Sequence, residues 1–205
     1  MSSIFLMADG SEVNLDTSEF NIDIELIAHH LAKIQRYNGA TPIDKSYSVA
    51  EHCLNLANHF ISSTEVAEMF SQEFVYLLAM YSLIHDASEA YLGDVNSILK
   101  RLIPDYIKIE HQFERKLDHE LFLKYLDDPQ YSFPTIKTIV KDRDKNIILD
   151  ETLKIMPYMY YEYTQLSPHL NEIGCRIYYN GDSEYVKNQY IRLYKDLKKE
   201  LGWTM

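Results

Sequence analysis

One segment of the chain is apolar on most of its faces when it is written as a helix, and it runs from about Glu73 to Ile84. A helix without a polar face has to be buried against other elements. The segment is also shorter than the roughly 18 apolar residues of a membrane span. We therefore expect it to be the central helix of the core. Its large apolar residues recur at helical spacing and are Phe74, Leu77, Leu78, Tyr81 and Ile84.

The residues before this segment predict two further helices. Apolar residues recur at helical spacing over 24–34, and Gly39 closes that segment. A second apolar stripe over 49–60 follows Ser48, which is a favourable N-cap residue. His52 lies beside this stripe.

Helical spacing also dominates the rest of the chain. Three more helices are predicted: one after Pro104, one from near Pro134, and a last one after Asn180-Gly181-Asp182. At the amino end, apolar residues at 4–6 and 13–15 flank a turn signal, which is typical of a small β-hairpin. We expect an all-α fold with an N-terminal β-hairpin, forming a single domain over residues 1–205.

Composition excludes several classes of partner. The formal net charge is −11, and no local basic patch offsets it, so we expect no extended nucleic acid as a partner. A small phosphorylated metabolite stays compatible, because a divalent ion and a few nearby cations outweigh a distant negative surface. No apolar run suits a membrane partner. Cys53 and Cys175 are too few and too far apart for a disulfide framework or a thiolate metal site, and we expect a cytoplasmic protein with reduced thiols.

The pair His85-Asp86 at the end of the central helix is the sharpest chemical feature. A neutral imidazole beside a carboxylate can share one divalent ion. Taken alone, the pair is more typical of a capped helix with a satisfied histidine. Glu89 follows at a spacing that predicts a neighbouring position on the same helix. A carboxyl group crowded by Asp86 and partly buried has a raised pKa, which suits proton transfer.

A metal centre needs ligands from other helices as well. His52 lies on the second predicted helix, and Asp144 lies on the helix that begins near Pro134. Each of them alone is more typical of a structural or solvated residue. Together with His85 and Asp86 they supply two nitrogens and two oxygens. Such a set suits a borderline transition metal and leaves coordination positions for water and substrate.

With these residues the sequence resembles the HD-domain phosphohydrolases, in particular the small bacteriophage branch beside the 5′-deoxynucleotidases. The resemblance spans most of the chain, and the order and spacing of its motifs are specific. It is carried by Ile27-Ala-His-His-Leu31, Arg36-Tyr-Asn-Gly39, Tyr47-Ser-Val-Ala-Glu-His52, His85-Asp-Ala-Ser-Glu-Ala-Tyr-Leu-Gly-Asp94, Lys100 and Val140-Lys-Asp-Arg-Asp144, with Glu151 seven residues on.

The resemblance implies an HD-domain helical bundle that binds a divalent metal ion, either Zn²⁺, Co²⁺, Mn²⁺ or Mg²⁺. It implies metal ligands at His52, His85, Asp86 and Asp144. Asp142 is a competing carboxylate near the fourth ligand, and the Val-Lys-x-x-Asp register of the family favours Asp144.

The resemblance also implies roles in catalysis and substrate binding. Glu89 would act as the acid or base, and Asp94 would lie near the sugar or the attacking water. Arg36 and Lys100 would contact phosphate, the first through a two-pronged guanidinium and the second through a compact ammonium group. Tyr37 could stack against the base or sugar, although a core position is equally compatible with the pattern.

One segment departs from the family pattern. The family commonly has Pro and Arg after Asp94, whereas this chain has Val95-Asn-Ser-Ile98. The departure puts the shape of the pocket wall in doubt.

The substrate that the resemblance implies is a deoxynucleoside 5′-phosphate, attacked at the α-phosphorus. Within the phage branch the sequence is most similar to the dATP triphosphohydrolases of viruses that replace adenine with 2,6-diaminopurine. We expect dATP, and with it dADP and dAMP, to yield deoxyadenosine plus the phosphate chain. The resemblance further implies a homo-oligomer, in the host cytoplasm if the protein is of phage origin.

Three alternatives stay open. One is a 5′-deoxynucleotidase with a broad base range that acts on monophosphates. Another is a nucleotide-binding module without turnover, although binding alone does not require Glu89 and Asp94. A diiron oxygenase would need extra histidines close to the His85-Asp86 helix, and none is well placed.

Overall fold

The computed structural model describes residues 3–41 and 46–203, with only the backbone described at residues 97 and 98. The described chain is mostly helical, with a two-stranded antiparallel sheet at its amino end, which confirms the all-α expectation and the hairpin. Its elements are β1 (Ile4–Leu6), β2 (Glu12–Asn14), α1 (Ile24–Leu31), a 3₁₀ turn (Arg36–Gly39), α2 (Val49–Ser62), α3 (Thr64–Met69), α4 (Gln72–Ile84), α5 (Glu89–Leu92), α6 (Ser97–Leu102), α7 (Pro104–Leu121), a second 3₁₀ turn (Leu123–Tyr125), α8 (Phe133–Ile155), α9 (Pro157–Leu166) and α10 (Ser183–Glu200).

The hairpin forms where the turn signal predicts it. Strands β1 and β2 pair with Phe5 opposite Val13. Gly10 in the turn has a φ of 82°, a left-handed conformation that glycine adopts without a steric penalty. The second strand covers Glu12–Asn14 and is therefore shifted by one residue from the predicted range 13–15.

Helix α4 is the buried central helix that its apolar pattern predicts. Every residue from Leu77 to Ile84 is buried, and the helix lies against α2, α8 and α10. The hydroxyl of the buried Tyr190 on α10 donates a hydrogen bond to the carbonyl oxygen of Leu83 at 2.5 Å. Each fully buried large apolar side chain of this helix stabilises the fold by roughly 1.5–3 kcal/mol. The centre of the fold is therefore the helix that ends at His85.

Helix α2 begins with the cap that the sequence predicts. The Ser48 hydroxyl accepts from the backbone N–H of Glu51 at 3.3 Å, and the Glu51 carboxylate accepts from the backbone N–H of Ser48 at 2.8 Å. This reciprocal capping box satisfies two backbone donors that would otherwise lack partners. It fixes the start of the helix one turn before His52 and Cys53, both of which are fully buried.

The first predicted helix is shorter than its apolar pattern suggests. Helix α1 ends at Leu31, so Ile34 and Gly39 lie outside it. The backbone N–H of Val49 donates to the carbonyl of Ile34 at 3.0 Å, so the chain after α1 pairs with the segment that leads into α2. Tyr37 then adopts a φ of 59° in the 3₁₀ turn, which a continuous helix does not allow. A long-range pairing therefore replaces the last turn of the predicted helix.

Four helices had no separate prediction from the sequence, namely α3, α5, α6 and α9. Helix α9 carries four tyrosines and has no buried residue, so its apolar residues do not form the stripe that identifies a core helix. By contrast, α7 begins at Pro104 and α8 has Pro134 in its first turn, as their proline signals predict. Within the described ranges, no helix is long and apolar enough to cross a bilayer.

Candidate metal centre

The four residues predicted as metal ligands come together from three helices. His52 belongs to α2, His85 and Asp86 follow the last residue of α4, and Asp144 belongs to α8. Both imidazoles are buried, and the side chains of Asp86 and Asp144 are 21% and 29% exposed. The cluster is therefore closed on the protein side and reached by solvent through its carboxylates.

The distances within the cluster are those of ligands that surround one ion. His52 Nε2 lies 3.0 Å from Asp144 Oδ1 and 3.8 Å from Asp86 Oδ2. His85 Nε2 lies 3.3 Å from Asp86 Oδ2 and 3.5 Å from Asp144 Oδ1. Metal bonds of about 2.0–2.2 Å separate neighbouring ligand atoms by about 3.0–3.5 Å. His52, His85 and Asp144 offer atoms that all lie within 4.8 Å of one another and could hold a divalent cation, with Asp86 next to His85.

Hydrogen bonds on the far side of each ring point its Nε2 atom into the cluster. His85 Nδ1 lies 2.7 Å from the Ser82 carbonyl oxygen, and His52 Nδ1 lies 2.6 Å from Glu151 Oε1. Both acceptors favour a proton on Nδ1 and a free lone pair on Nε2. His85 Nε2 is buried without a hydrogen-bond partner. An unsatisfied buried nitrogen beside two carboxylates is what a bound cation would satisfy.

The charges in the cluster shift the pKa values of its members. Burial opposes the protonated form of both imidazoles, yet nearby carboxylates raise the pKa of His52 and raise that of His85 well above its usual range. Burial also opposes ionisation of Asp144, but the two histidines hold its pKa well below the usual range. A cation that binds here takes the place of these protons on the imidazoles.

Glu151 is a residue of the centre that had no predicted role. It is fully buried on α8, and its two oxygens accept hydrogen bonds from His52 Nδ1, Arg36 Nε and the hydroxyls of Tyr37 and Tyr47. Burial alone would raise the pKa of its carboxyl group, but Arg36 and His52 lower it to about 2. Glu151 is therefore an ionised positioning residue for His52.

A signal for Glu151 was present in the sequence. It lies two helical turns after Asp144, which puts both carboxylates on one face of α8. The structure also separates the two candidate aspartates, because Asp144 lies beside His52 whereas Asp142 is exposed.

Glu89 lies near the cluster but on a different helix from the one expected. Helix α4 ends at Ile84, the next four residues form turns, and Glu89 is the first residue of α5. The expectation that it shares a helix with His85 and Asp86 is therefore wrong. The helical hydrogen bonds give way there to tighter turns, since the N–H groups of Ala87 and Glu89 donate to the carbonyls of Ile84 and Asp86 at 2.9 Å, and the chain is buried again from Ala87 to Tyr91.

The environment of Glu89 is nevertheless the one expected for a proton donor. The side chain is buried, and its Oε2 atom has no hydrogen-bond partner. Burial, followed by the charges of Asp86 and Asp94, raises its pKa well above the usual range. Burial also raises the pKa of the half-buried Asp94. Burial and the neighbouring carboxylates therefore both favour the protonated form of Glu89.

The residues expected at phosphate are engaged with acidic partners. Arg36 donates from Nε to Glu151 at 3.0 Å, and its guanidinium lies 5.5 Å from the centre of the Tyr37 ring. The Tyr37 hydroxyl donates to Glu151. Lys100 Nζ lies 2.6 Å from Glu110 Oε1 and 3.9 Å from Glu89 Oε1. Both cations lie next to residues of the centre, and each is paired with a buried glutamate.

The same region holds a second group of potential ligands. Cys53, His85 and Asp86 each offer an atom within 4.8 Å of those of the other two, as do His52, His85 and Asp144. His85 is common to both groups. The sequence assigned no role to Cys53, although its place directly after His52 is a signal.

Two relatives resemble parts of the chain. An uncharacterized protein of Rhodobacter capsulatus is 36% identical over 98 residues, which cover 47% of this chain and 46% of that protein. The uncharacterized protein YfdR of Escherichia coli strain K12 is 35% identical over 114 residues, which cover 56% of this chain and 53% of YfdR. The chain therefore matches about half the length of these curated relatives. No protein-family model matches it.

Replacing Asp144 by Asn tests the fourth ligand. The substitution keeps the size of the side chain but removes its charge, so we expect the affinity for Mn²⁺ or Co²⁺ to fall by at least about 10- to 100-fold in isothermal titration calorimetry. Asp142→Asn is the matched control, because it removes an exposed charge from the same helix. Equal affinities in the two variants would contradict the assignment.

Replacing Glu151 by Gln tests its role in positioning His52. The amide cannot balance the Arg36 charge, so the folded state should lose about 3–5 kcal/mol of stability in urea unfolding. The affinity for Co²⁺ should also fall by about 10- to 100-fold. Glu162→Gln, on the exposed face of α9, serves as the control. Wild-type metal affinity in a folded Glu151→Gln protein would rule out the positioning role.

Proposed function

We propose that the chain is a metal-dependent phosphohydrolase of the HD type that acts on deoxynucleoside 5′-phosphates. One observation carries the proposal: two imidazoles and two carboxylates that could hold a cation lie close to a buried glutamic acid whose pKa is raised well above the usual range. A purely structural cluster would not need an acid with an unpartnered oxygen beside it.

The ligands for the ion would be His52, His85, Asp86 and Asp144. When it is bound, a divalent ion lowers the pKa of a water molecule and neutralises charge on a phosphoryl group. The Nδ1 hydrogen bonds of the two imidazoles keep their Nε2 atoms facing the ion. Solvent reaches the cluster beside the partly exposed Asp86 and Asp144, which leaves one side for water and substrate.

Glu89 would protonate the oxygen that leaves as the sugar hydroxyl. Burial, followed by the charges of Asp86 and Asp94, raises the pKa of its carboxyl group well above the usual range, which favours the protonated form. Donation of this proton avoids formation of an alkoxide, which is the costly part of cleaving a phosphate ester. Asp94, which is half-buried, would bind the sugar or the attacking water.

Arg36 and Lys100 would bind the phosphate chain. The Nε–H of Arg36 is held by Glu151, and the N–H groups on its two terminal nitrogens are directed by that contact. Lys100 bridges Glu110 and Glu89, so a phosphate oxygen would compete with Glu110 for the ammonium group. Tyr37 would support phosphate binding indirectly, through its contacts with Arg36 and Glu151. The edge of its ring could still contact a substrate.

We further propose dATP as the preferred substrate, with dADP and dAMP also accepted. Attack at the α-phosphorus makes the products deoxyadenosine and the phosphate chain, which lets substrates with different chain lengths share one site. The preference for adenine rests on the resemblance to the phage branch. The two relatives add no activity, since both are described as uncharacterized.

A substrate panel in ¹⁸O-labelled water tests the proposal. Protein loaded in turn with Co²⁺, Mn²⁺, Zn²⁺ and Mg²⁺ is given each dNTP and dNMP, and the products are separated by chromatography and mass spectrometry. We expect deoxyadenosine from dATP, with the label in the triphosphate because water attacks phosphorus. Turnover of monophosphates alone would favour a 5′-deoxynucleotidase, and equal turnover of four bases would remove the adenine preference. No turnover with any metal would refute the proposed hydrolase.

Replacing Glu89 by Gln tests the acid. We expect kcat to fall by about 10²- to 10⁴-fold. In the wild type, kcat should be retained below the raised pKa of Glu89 and lost as the pH rises through it, because only the protonated form donates. The variant should lack this alkaline limb. Glu68→Gln on the exposed side of α3 is the control, and an unchanged pH profile in Glu89→Gln would exclude the role.

A further inference from the structure

Cys53 lies where a thiol can reach the metal centre. It follows His52 on α2, is fully buried, and forms no disulfide. Its sulfur, a ring nitrogen of His85 and a carboxylate oxygen of Asp86 all lie within 4.8 Å of one another. Bonds of about 2.0–2.3 Å from one ion to such atoms require only that these side chains close slightly on it.

A second observation points to a ligand at this place. The His85 side chain is only 5% exposed, and its Nε2 atom has no hydrogen-bond partner. The same atom lies 3.3 Å from Asp86 Oδ2, so the histidine is shared by the group with His52 and the group with Cys53. Because this nitrogen has a single lone pair, the two groups are alternative positions for one ion, and an ion on the Cys53 side would keep His85 and Asp86 as ligands.

The other cysteine shows how a packing thiol differs from Cys53. Cys175 is also buried and free, but its Sγ atom donates to the Asn55 carbonyl oxygen at 3.5 Å. Among the described residues, Cys175 belongs to neither group of potential ligands. Most buried cysteines are small apolar side chains of this second kind. Cys53 is distinguished by its neighbours and not by its burial.

We propose that Cys53 is a sulfur ligand for thiophilic divalent ions, namely Zn²⁺, Co²⁺ and Cd²⁺, at the side of the centre formed by His85 and Asp86. Thiolate ligands favour such ions over Mg²⁺ and Mn²⁺, which prefer oxygen. On binding, the sulfur forms a bond to the ion and the S–H proton is released to solvent.

The inference concerns coordination and holds whether or not the chain is a hydrolase. Its consequence is metal selectivity, because the oxygen and nitrogen ligands serve every divalent ion whereas sulfur adds affinity only for some of them. Removal of the thiol should therefore lower the affinity for Zn²⁺, Co²⁺ and Cd²⁺ but not the affinity for Mg²⁺ and Mn²⁺. Removal of the Asp144 carboxylate should not produce this difference between the two kinds of metal.

Absorption spectroscopy of the Co²⁺-loaded protein tests the proposal directly. A thiolate bound to Co²⁺ gives a charge-transfer band in the near ultraviolet, which nitrogen and oxygen ligands do not give. We expect the band in the wild type and in Cys175→Ser, and its loss in Cys53→Ser. A band that persists in Cys53→Ser, or a cobalt-saturated wild type without the band, would overturn the proposal.

Metal affinities give the second measurement. In Cys53→Ser we expect the affinity for Cd²⁺ to fall by at least about tenfold, while the affinity for Mn²⁺ stays within about twofold. Equal changes for both ions would overturn the proposal. A measurement on the wild type alone covers the case in which the variant does not fold: the ¹¹³Cd resonance should lie in the sulfur-ligated range, and a shift in the oxygen and nitrogen range would refute the assignment.

Discussion

The buried carboxylate of Glu151 is the interaction on which the rest of the site depends. An ionised carboxylate without solvent is costly unless every oxygen has partners, and a buried pair that loses one member is strongly destabilised. Arg36 supplies the opposite charge, while His52 and Tyr47 supply further donors. Since these partners come from the segment before α2 and from α2 itself, the carboxylate ties that part of the chain to α8.

This requirement explains the irregular backbone after α1. Arg36 reaches Glu151 only because the chain leaves the helix at Leu31 and pairs with the strand-like segment before α2, through the hydrogen bond from the Arg36 N–H to the Tyr47 carbonyl. Tyr37 adopts its left-handed conformation directly after this contact and brings its hydroxyl to the same carboxylate. A residue with a β-carbon is uncommon in that region of φ and ψ, and it persists where its surroundings compensate the strain.

The parts of the fold that the sequence predicted are those that depend on local spacing. The burial of α4, the cap of α2 at Ser48 and the start of α7 at Pro104 each follow from residues within one or two helical turns. The contact between Arg36 and Glu151 joins residues that are 115 positions apart in the sequence, so no local sequence pattern predicts it. The break before Glu89 was missed because helical spacing alone does not show where a helix ends: residues 85–88 form turns, although the chain is buried again from Ala87.

The residues of the candidate site divide in the same way, into those that could be predicted from the sequence and those defined only by long-range contacts. His52, His85, Asp86 and Asp144 could be named because each residue type is a metal ligand in its own right and because their motifs resemble a known order. Glu151 and Cys53 could not be ranked above ordinary buried residues, since their importance lies in which atoms face them. Only the three-dimensional arrangement distinguishes Cys53 beside His85 from Cys175 beside a carbonyl.

The local balance of charge explains why a phosphate would bind at this centre only together with a cation. The chain carries a net charge of −11, and the two cations near the cluster are already paired, Arg36 with Glu151 and Lys100 with Glu110. A phosphate would then face the ionised Asp144 with little compensation. A divalent ion held by that carboxylate would remove the repulsion where the phosphorus would lie. The ion would also partly neutralise Asp86, which is one cause of the raised pKa of Glu89, so that burial and Asp94 would be left to favour the proton on Glu89.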